Sequence, residues 1–103
     1  MMYMNQLTMN DFEPHVNSTF AVHYGGEEPL ELTLVSVTPL GEPPDPGQDR
    51  RQSFSLLFTN LMTDKYLVQQ IYEVVHSELG TLQLFLVPMG PGKGGMAYEA
   101  VFS

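Results

Sequence analysis

Histidine and carboxylate side chains are the residues of this chain that could support proton transfer or metal binding. The histidines, His15, His23 and His76, form neither an HxH pair nor an HExxH motif, the spacings typical of zinc sites. The chain contains no cysteine, which excludes disulfides, thiolate nucleophiles and Cys-ligated metal centres. We therefore expect no metal and no cofactor. Glu73 and Glu99 could form a catalytic carboxylate pair, but each alternates with apolar neighbours as an outward-facing strand residue does.

His76 is the histidine whose position says most about its role. It follows an alternating apolar segment and directly precedes the sequence SELG, which predicts a tight turn at Gly80. We expect a structural role in which the imidazole hydrogen-bonds to the backbone of that turn. A ligand-binding or catalytic role is the alternative.

Two further segments have compositions that are found in binding loops. The glycine-rich segment PMGPGKGG, residues 88–95, lacks the GxxxxGK[ST] pattern of phosphate-binding loops and precedes a strand, so we expect a hairpin connection. The carboxylates of Glu27, Glu28 and Glu31 do not have the spacing of a calcium-binding EF-hand loop. They are interpreted as solvated charges that protect a strand edge.

Acidic residues are concentrated in the first half of the chain. The net charge is −8 over 103 residues, and residues 1–49 contain Asp and Glu but no Lys or Arg. The basic residues are Arg50, Arg51, Lys65 and Lys93. Because nucleic acids and anionic membranes are bound by clustered basic residues, the composition argues against both as partners. It is compatible with a general role in solubility and with a basic partner that docks on the first half.

The N-terminal segment, residues 1–17, predicts a short helical piece. Thr8 and Asp11 have the spacing of a capping box, and Pro14 prevents a long helix. The side chains expected to be buried are Leu7, Phe12 and Val16.

Alternating apolar and polar residues predict about six short strands in the rest of the chain. They are expected at residues 18–24, 30–38, 53–59, 69–76, 81–87 and 96–102. The apolar positions change phase at Val35 and Val37, which indicates a bulge or a strand that changes sheets. Residues 39–52 form a long Pro-rich loop and residues 88–95 a glycine-rich loop. The prediction is a single all-β domain over residues 1–103, either a small antiparallel sandwich or a closed barrel, with the helical segment at its N-terminus.

The strand alternation divides the apolar residues between two faces. The expected core consists of Phe54, Leu56, Phe58, Leu82, Leu84, Leu86, Tyr98 and Phe102. A second apolar patch, formed by Leu57, Phe85, Val87 and Val101, faces the opposite way on strands that would be neighbours in a sheet built in sequence order. We expect Phe12 and Val16 to cover this patch, and a second subunit or another protein is the alternative.

Three segments of the chain resemble a family of short bacterial proteins known only as a domain of unknown function. They are FSLLF (54–58), HSELGTLQLFLVPMGP (76–91) and YEAVFS (98–103), and the opening LTMNDFEPHVNSTF (7–20) and LVSVTPLG (34–41) are also similar. The resemblance covers essentially the whole chain. It implies genes near those of phage-tail-collar-like proteins, and hence a structural or accessory role. It implies no catalytic or binding residues.

The leading functional interpretation is a non-enzymatic protein-interaction or structural accessory module, for example of a phage-tail-like or surface assembly. The second is a small-ligand-binding barrel with Tyr24, Tyr72 and Tyr98 around a cavity. The third is a hydrolase that uses Glu73, Glu99 or His76. A core filled by Phe and Leu side chains would leave no cavity for a ligand, and would therefore favour the interaction module over the ligand-binding barrel.

Charge, apolar run length and the N-terminal sequence also indicate which partners and which location to expect. The expected partner is another protein or a second copy, not nucleic acid. Membrane insertion is not expected, because no apolar run approaches the roughly 20 residues of a membrane helix. The opening MMYMNQLTMN has no signal-peptide pattern, so we expect a cytoplasmic location or incorporation in a larger assembly.

Overall fold

A computed structural model describes residues 7–26, 28–42, 52–61, 67–92 and 95–102. These residues form a closed barrel of antiparallel strands that follows a short helical segment. The elements are α1 (Met9–Phe12), a 3₁₀ helix (Glu13–His15), β1 (Thr19–His23), β2 (Leu30–Pro39), β3 (Phe54–Asn60), β4 (Gln70–His76), β5 (Gly80–Gly92) and β6 (Gly95–Phe102). The predicted all-β class with its N-terminal helical piece is confirmed, in the closed-barrel form.

The strands do not follow sequence order around the barrel. The order is β1-β2-β3-β6-β5-β4, with β4 pairing with β1 to close it. The connection from β3 leads to β4 on the far side of β1, and the β4–β5–β6 meander then returns toward β3. The assumption of a sheet in sequence order is therefore wrong, although β3, β6 and β5 remain consecutive neighbours.

The phase change in β2 corresponds to a bulge. The pairing of β2 with β3 shifts register between Leu34 and Ser36, so Val35 is an extra residue. Val35 is exposed, whereas Leu30, Leu32 and Leu34 are buried. The bulge predicted from the sequence is confirmed.

β5 and β6 pair as a hairpin through the glycine-rich segment 88–95, as expected, but more of this segment is strand than the predicted loop allowed. β5 continues to Gly92 and β6 begins at Gly95. A second register shift lies between Pro88 and Gly90, and Gly90 has a φ of 95°, a conformation that glycine adopts readily. Proline and glycine are typical of loops, but both are also tolerated at bulges, where the ladder is already interrupted.

Two other predicted connections fall largely outside the described residues. Pro39 belongs to β2, and the amide of Leu40 donates to the carbonyl of Ser53 at 2.8 Å. The remainder of the Pro-rich loop, residues 43–51, lies outside the described residues, as do residues 62–66 of the connection between β3 and β4.

The N-terminal segment fills one end of the barrel. The amide of Thr8 donates to Asp11 Oδ2 at 2.7 Å, in the predicted capping box. Phe12 is fully buried, with its ring 5.9 Å from that of Phe54 and 5.4 Å from that of Phe102. The expectation that Phe12 covers the second apolar patch is therefore wrong, because its ring packs in the main core.

Large apolar side chains fill the barrel interior. The largest fully buried residues are Tyr98, Phe12, Phe20, Phe54, Phe58, Leu7, Leu32, Leu34, Leu56, Leu82, Leu84 and Leu86. At the end opposite α1, the amide of Leu67 donates to Tyr98 Oη at 2.9 Å, and Tyr72 Oη donates to the carbonyl of Val68 at 2.6 Å. These bonds hold the chain that enters β4 against the barrel.

Candidate functional site

The second apolar patch remains at the surface on the outer face of the barrel. Phe85 is 47% exposed and Val101 55%, while Leu57 and Val87 are partly buried. Leu57 pairs with Glu99, and Glu99 pairs with Val87, so these three residues form one row across β3, β6 and β5. The structure thus places all four predicted patch residues on three consecutive strands.

Ile71 extends the patch onto β4 and was missed by the sequence analysis. It pairs directly with Phe85 and is 62% exposed. Residues in direct register on one face of a sheet have neighbouring side chains. The available signal was strand alternation, because Tyr72 and Val74 point inward and Ile71 must then point outward. We call the five residues Leu57, Ile71, Phe85, Val87 and Val101 the outer apolar face.

The charges around the outer apolar face are negative. Glu99 lies between Leu57 and Val87, and Glu73 lies two residues beyond Ile71 on β4. The carboxylates of Glu73 and Glu99 beside the face favour a partner that carries positive charge at these positions.

One edge of β5 beside this face has no strand partner among the described residues. The ladder between β5 and β6 starts at Gly92 and Gly95 and ends at Val87 and Glu99. From Gly80 to Leu86, β5 is paired only with β4. The segment TLQLFL, residues 81–86, contains neither a charge nor a proline.

His76 lies at the end of β4 and is buried within a hydrogen-bonded cluster. Its Nδ1 accepts from the amides of Glu78 at 3.0 Å and Leu79 at 3.2 Å. Its Nε2 lies 3.0 Å from Ser18 Oγ, which donates to the carbonyl of His15 at 2.5 Å. The imidazole thus hydrogen-bonds to the turn backbone, as the sequence suggested.

These bonds determine the protonation of the imidazole. Because Nδ1 accepts from two amides, its proton must be on Nε2, which then donates to Ser18 Oγ. The His76 ring also contacts the rings of His15 and Phe20, each with centroids 4.5 Å apart. Burial and the nearby His15 lower the pKa of His76 below 6.5, while Glu78 opposes this shift.

The arrangement of Ser18 and His76 does not activate the serine as a nucleophile. A general base must accept the hydroxyl proton, but here Nε2 donates to Ser18 and the hydroxyl proton goes to a backbone carbonyl. The geometry is that of a structural cluster that connects the segment before β1 to the β4–β5 turn.

The carboxylate pair that the sequence left open, Glu73 with Glu99, is not brought together in the barrel. Glu73 is on β4 and Glu99 is on β6, and β5 lies between these strands. Both side chains belong to the outer-facing set, beside exposed apolar neighbours. We find no shared cleft for them in the described structure.

A groove of about 750 Å³, lined by both polar and apolar side chains, lies on another part of the barrel wall. Thr19, Thr33 and Thr59 form one row across β1, β2 and β3, and Glu28 and Glu31 line the groove beside them. The ladder between β2 and β3 ends at Thr33 and Thr59, so the part of β2 that carries Glu31 is paired in the described structure with β1 alone, and the role of these carboxylates at a strand edge stays a prediction. Glu27 lies outside the described residues.

Comparison with known families classifies the chain. The model of a family described as a domain of unknown function (DUF6916) matches residues 7–102. The chain belongs to this family. The match includes the whole outer apolar face and the His76 cluster, but the family description assigns no activity to either. No curated protein and no solved structure matches the chain.

The described residues contain neither a metal-binding cluster nor a membrane-spanning helix. No group of three or more His, Asp or Glu residues is arranged so that it could hold a metal ion. None of the helices in the described ranges is long and apolar enough to cross a bilayer.

Proposed function

We propose that this chain is a non-enzymatic protein-binding module that acts through the outer apolar face. The observation that carries the proposal is the exposure of Ile71, Phe85 and Val101 on neighbouring strands of a barrel whose interior is already filled. Exposed apolar patches on a packed domain are typical of protein-interaction sites. The family resemblance extends the proposal to an accessory role in a phage-tail-like or surface assembly.

The filled interior favours this function over a ligand-binding barrel. Tyr98 is fully buried and Tyr72 is 4% exposed, and both hydroxyls bond to the backbone of residues 67–68. A small-molecule site needs a cavity with polar groups directed into it. Of the three tyrosines suggested for such a site, Tyr72 and Tyr98 instead close one end of the barrel, and Tyr24 is partly buried against the core.

The chemistry of the histidine and carboxylate groups favours a binding role over a hydrolytic one. The imidazole of His76 is engaged on both nitrogens, and its Nε2 proton is directed at Ser18. Glu73 and Glu99 are on strands that are not neighbours. A hydrolase would require a base that can reach its nucleophile or water and a carboxylate that can assist it.

Site-specific photocrosslinking in cells that express the native gene tests the proposal. We would replace Phe85 with p-benzoylphenylalanine, which keeps an aromatic side chain on the outer apolar face. The matched control carries the same group at Val35, which is 41% exposed on β2, three strands away from β5 in the barrel order.

The expected result is a discrete protein adduct from the Phe85 position that is absent from the Val35 position. Adduct formation should decrease when Glu99 is changed to Lys, because the charge beside the face is reversed. Equal adduct patterns from both positions, or no protein adduct at Phe85, would contradict the proposed function.

A further inference from the structure

The free edge of β5 beside the outer apolar face has the properties of a strand-addition site. Among the described residues, β5 is paired only with β4 from Gly80 to Leu86, whereas a strand inside a closed sheet is paired on both sides. Alternate residues of a strand direct their N–H and C=O groups to the same edge, so several backbone groups of residues 81–86 face this gap. No hydrogen bond of these residues other than those of the ladder with β4 is present in the described structure.

This edge lacks the features that normally protect an exposed strand. Natural edges carry Lys, Pro, inward-pointing charges or bulges, which prevent unwanted pairing. The sequence TLQLFL has none of these residues, and the bulge of β5 lies further along, between Pro88 and Gly90. An unprotected edge of this kind is a template for another extended chain.

The side chains along the edge indicate what such a chain must contain. Leu82, Leu84 and Leu86 are at most 1% exposed, so positions of the added strand that face inward must be small. Phe85 and Val101 are exposed on the outer side, where apolar side chains of the added strand would bury them. Glu99 is adjacent to this edge, which favours Lys or Arg in the added chain.

Resting on the proposed function, we propose that Thr81–Leu86 binds an extended, positively charged segment of a partner protein as an additional strand. A second copy of this chain is the other candidate for the same edge. Glu73 pairs with Gln83 and Glu99 with Val87, so pairing of two such edges would add the carboxylates of both copies to one seam. A separate extended segment with basic residues avoids that repulsion.

The probe is a fluorescein-labelled, terminally blocked peptide in which valine and serine alternate between flanking lysines. Its serines are small enough for the inward side, and its valines can contact Phe85 and Val101. Fluorescence anisotropy with the full chain should give saturable binding at peptide concentrations below about 1 mM. Hydrogen exchange should show new protection at those amides of residues 81–86 that point away from β4.

Two N-methylated versions of the peptide test the backbone pairing directly. One is methylated on the valines and the other on the serines. Because alternate residues of an added strand direct their N–H groups toward the protein, one version should lose binding by about tenfold or more and the other should retain it. Equal effects of both versions, or no saturable binding of the parent peptide, would overturn the proposal.

Protein variants provide a second readout that does not depend on disturbing the fold. Phe85→Ala should weaken peptide binding, and Val35→Ala should not, because both side chains are exposed but only Phe85 borders the edge. A peptide with flanking glutamates should bind less tightly than the lysine version. If light scattering shows the full chain as a dimer with the amides of residues 81–86 already protected, the occupant is a second copy and the proposal is wrong.

The photocrosslinking result separates this inference from the proposed function. A specific adduct at Phe85, combined with equal binding of the two N-methylated peptides, would support a protein-binding face and contradict strand addition. Absence of the adduct would contradict both.

Discussion

The imidazole of His76 contributes stability in a way that depends on pH. Above an unfolded-state pKa of about 6.5, the ring is neutral in both the folded and the unfolded protein. Burial lowers its pKa in the folded state, so the unfolded chain takes up the proton first as the pH falls. Stability associated with His76 is therefore fully present above pH 6.5 and is lost as the pH falls through the lowered folded-state pKa.

We expect His76→Ala to reduce the free energy of unfolding at neutral pH by about 1–3 kcal/mol, because two turn amides and Ser18 lose their partner. Urea denaturation should show that the difference from the wild type shrinks at acidic pH. His23→Ala, at an exposed position on β1, is the control and should change stability by less than about 0.5 kcal/mol. A difference that grows at acidic pH would contradict the assigned tautomer.

Gly95 and Gly90 allow backbone strain to be separated from steric exclusion. Both have a positive φ, 97° at Gly95 and 95° at Gly90. A Cβ added at Gly95 would clash with the carbonyl oxygen of Asn60, whereas a Cβ added at Gly90 would have no other atom within 4 Å. We expect Gly90→Ala to cost about 1–2 kcal/mol and Gly95→Ala at least about 1 kcal/mol more, as measured by thermal unfolding. Equal losses would show that β6 does not approach β3 as closely as described.

At the scale of elements, the N-terminal segment is part of the core. Phe12→Ala should cost about 3–5 kcal/mol, because its ring fills the barrel end between Phe54 and Phe102. Val16→Ala, a change at a partly buried neighbour, should cost clearly less. Chemical denaturation of both variants tests this, and a loss below about 1 kcal/mol for Phe12→Ala would mean that the segment is only an appendage.

The elements also show where sequence reasoning succeeds. Regular alternation predicted the strands around Phe20, Leu56 and Leu84, because a two-residue period follows directly from strand geometry. The extension of β5 past Pro88 was missed, because glycine and proline resemble a loop when the partner strand is unknown. The bulge at Val35 was found since it changes the phase of the apolar pattern within one strand.

At the scale of the whole molecule, closure and strand order depend on contacts that are distant in sequence. The alternation of apolar and polar residues along each strand predicted the all-β class. It also predicted two faces, with Phe85 and Val101 on the outer one. It could not show that β6 pairs with β3, nor that Phe12 packs against Phe102. The free edge of β5 is likewise visible only once both of its neighbouring ladders are known.

Adjacent residues of β5 provide the most direct test of the account as a whole. Leu84 is 1% exposed in the core, and Phe85 is 47% exposed on the outer apolar face. Leu84→Ala should cost about 2–5 kcal/mol of stability, whereas Phe85→Ala should cost less than about 1 kcal/mol.

The decisive measurement is capture of the protein that crosslinks at Phe85, using wild type, Leu84→Ala and Phe85→Ala at equal concentrations of folded protein. We expect Phe85→Ala to lose most of the captured partner while it unfolds at nearly the wild-type urea concentration, and the folded fraction of Leu84→Ala to capture it normally. Undiminished capture by Phe85→Ala, or a stability loss as large as that of Leu84→Ala, would contradict the division of this barrel into a filled core and a protein-binding outer face.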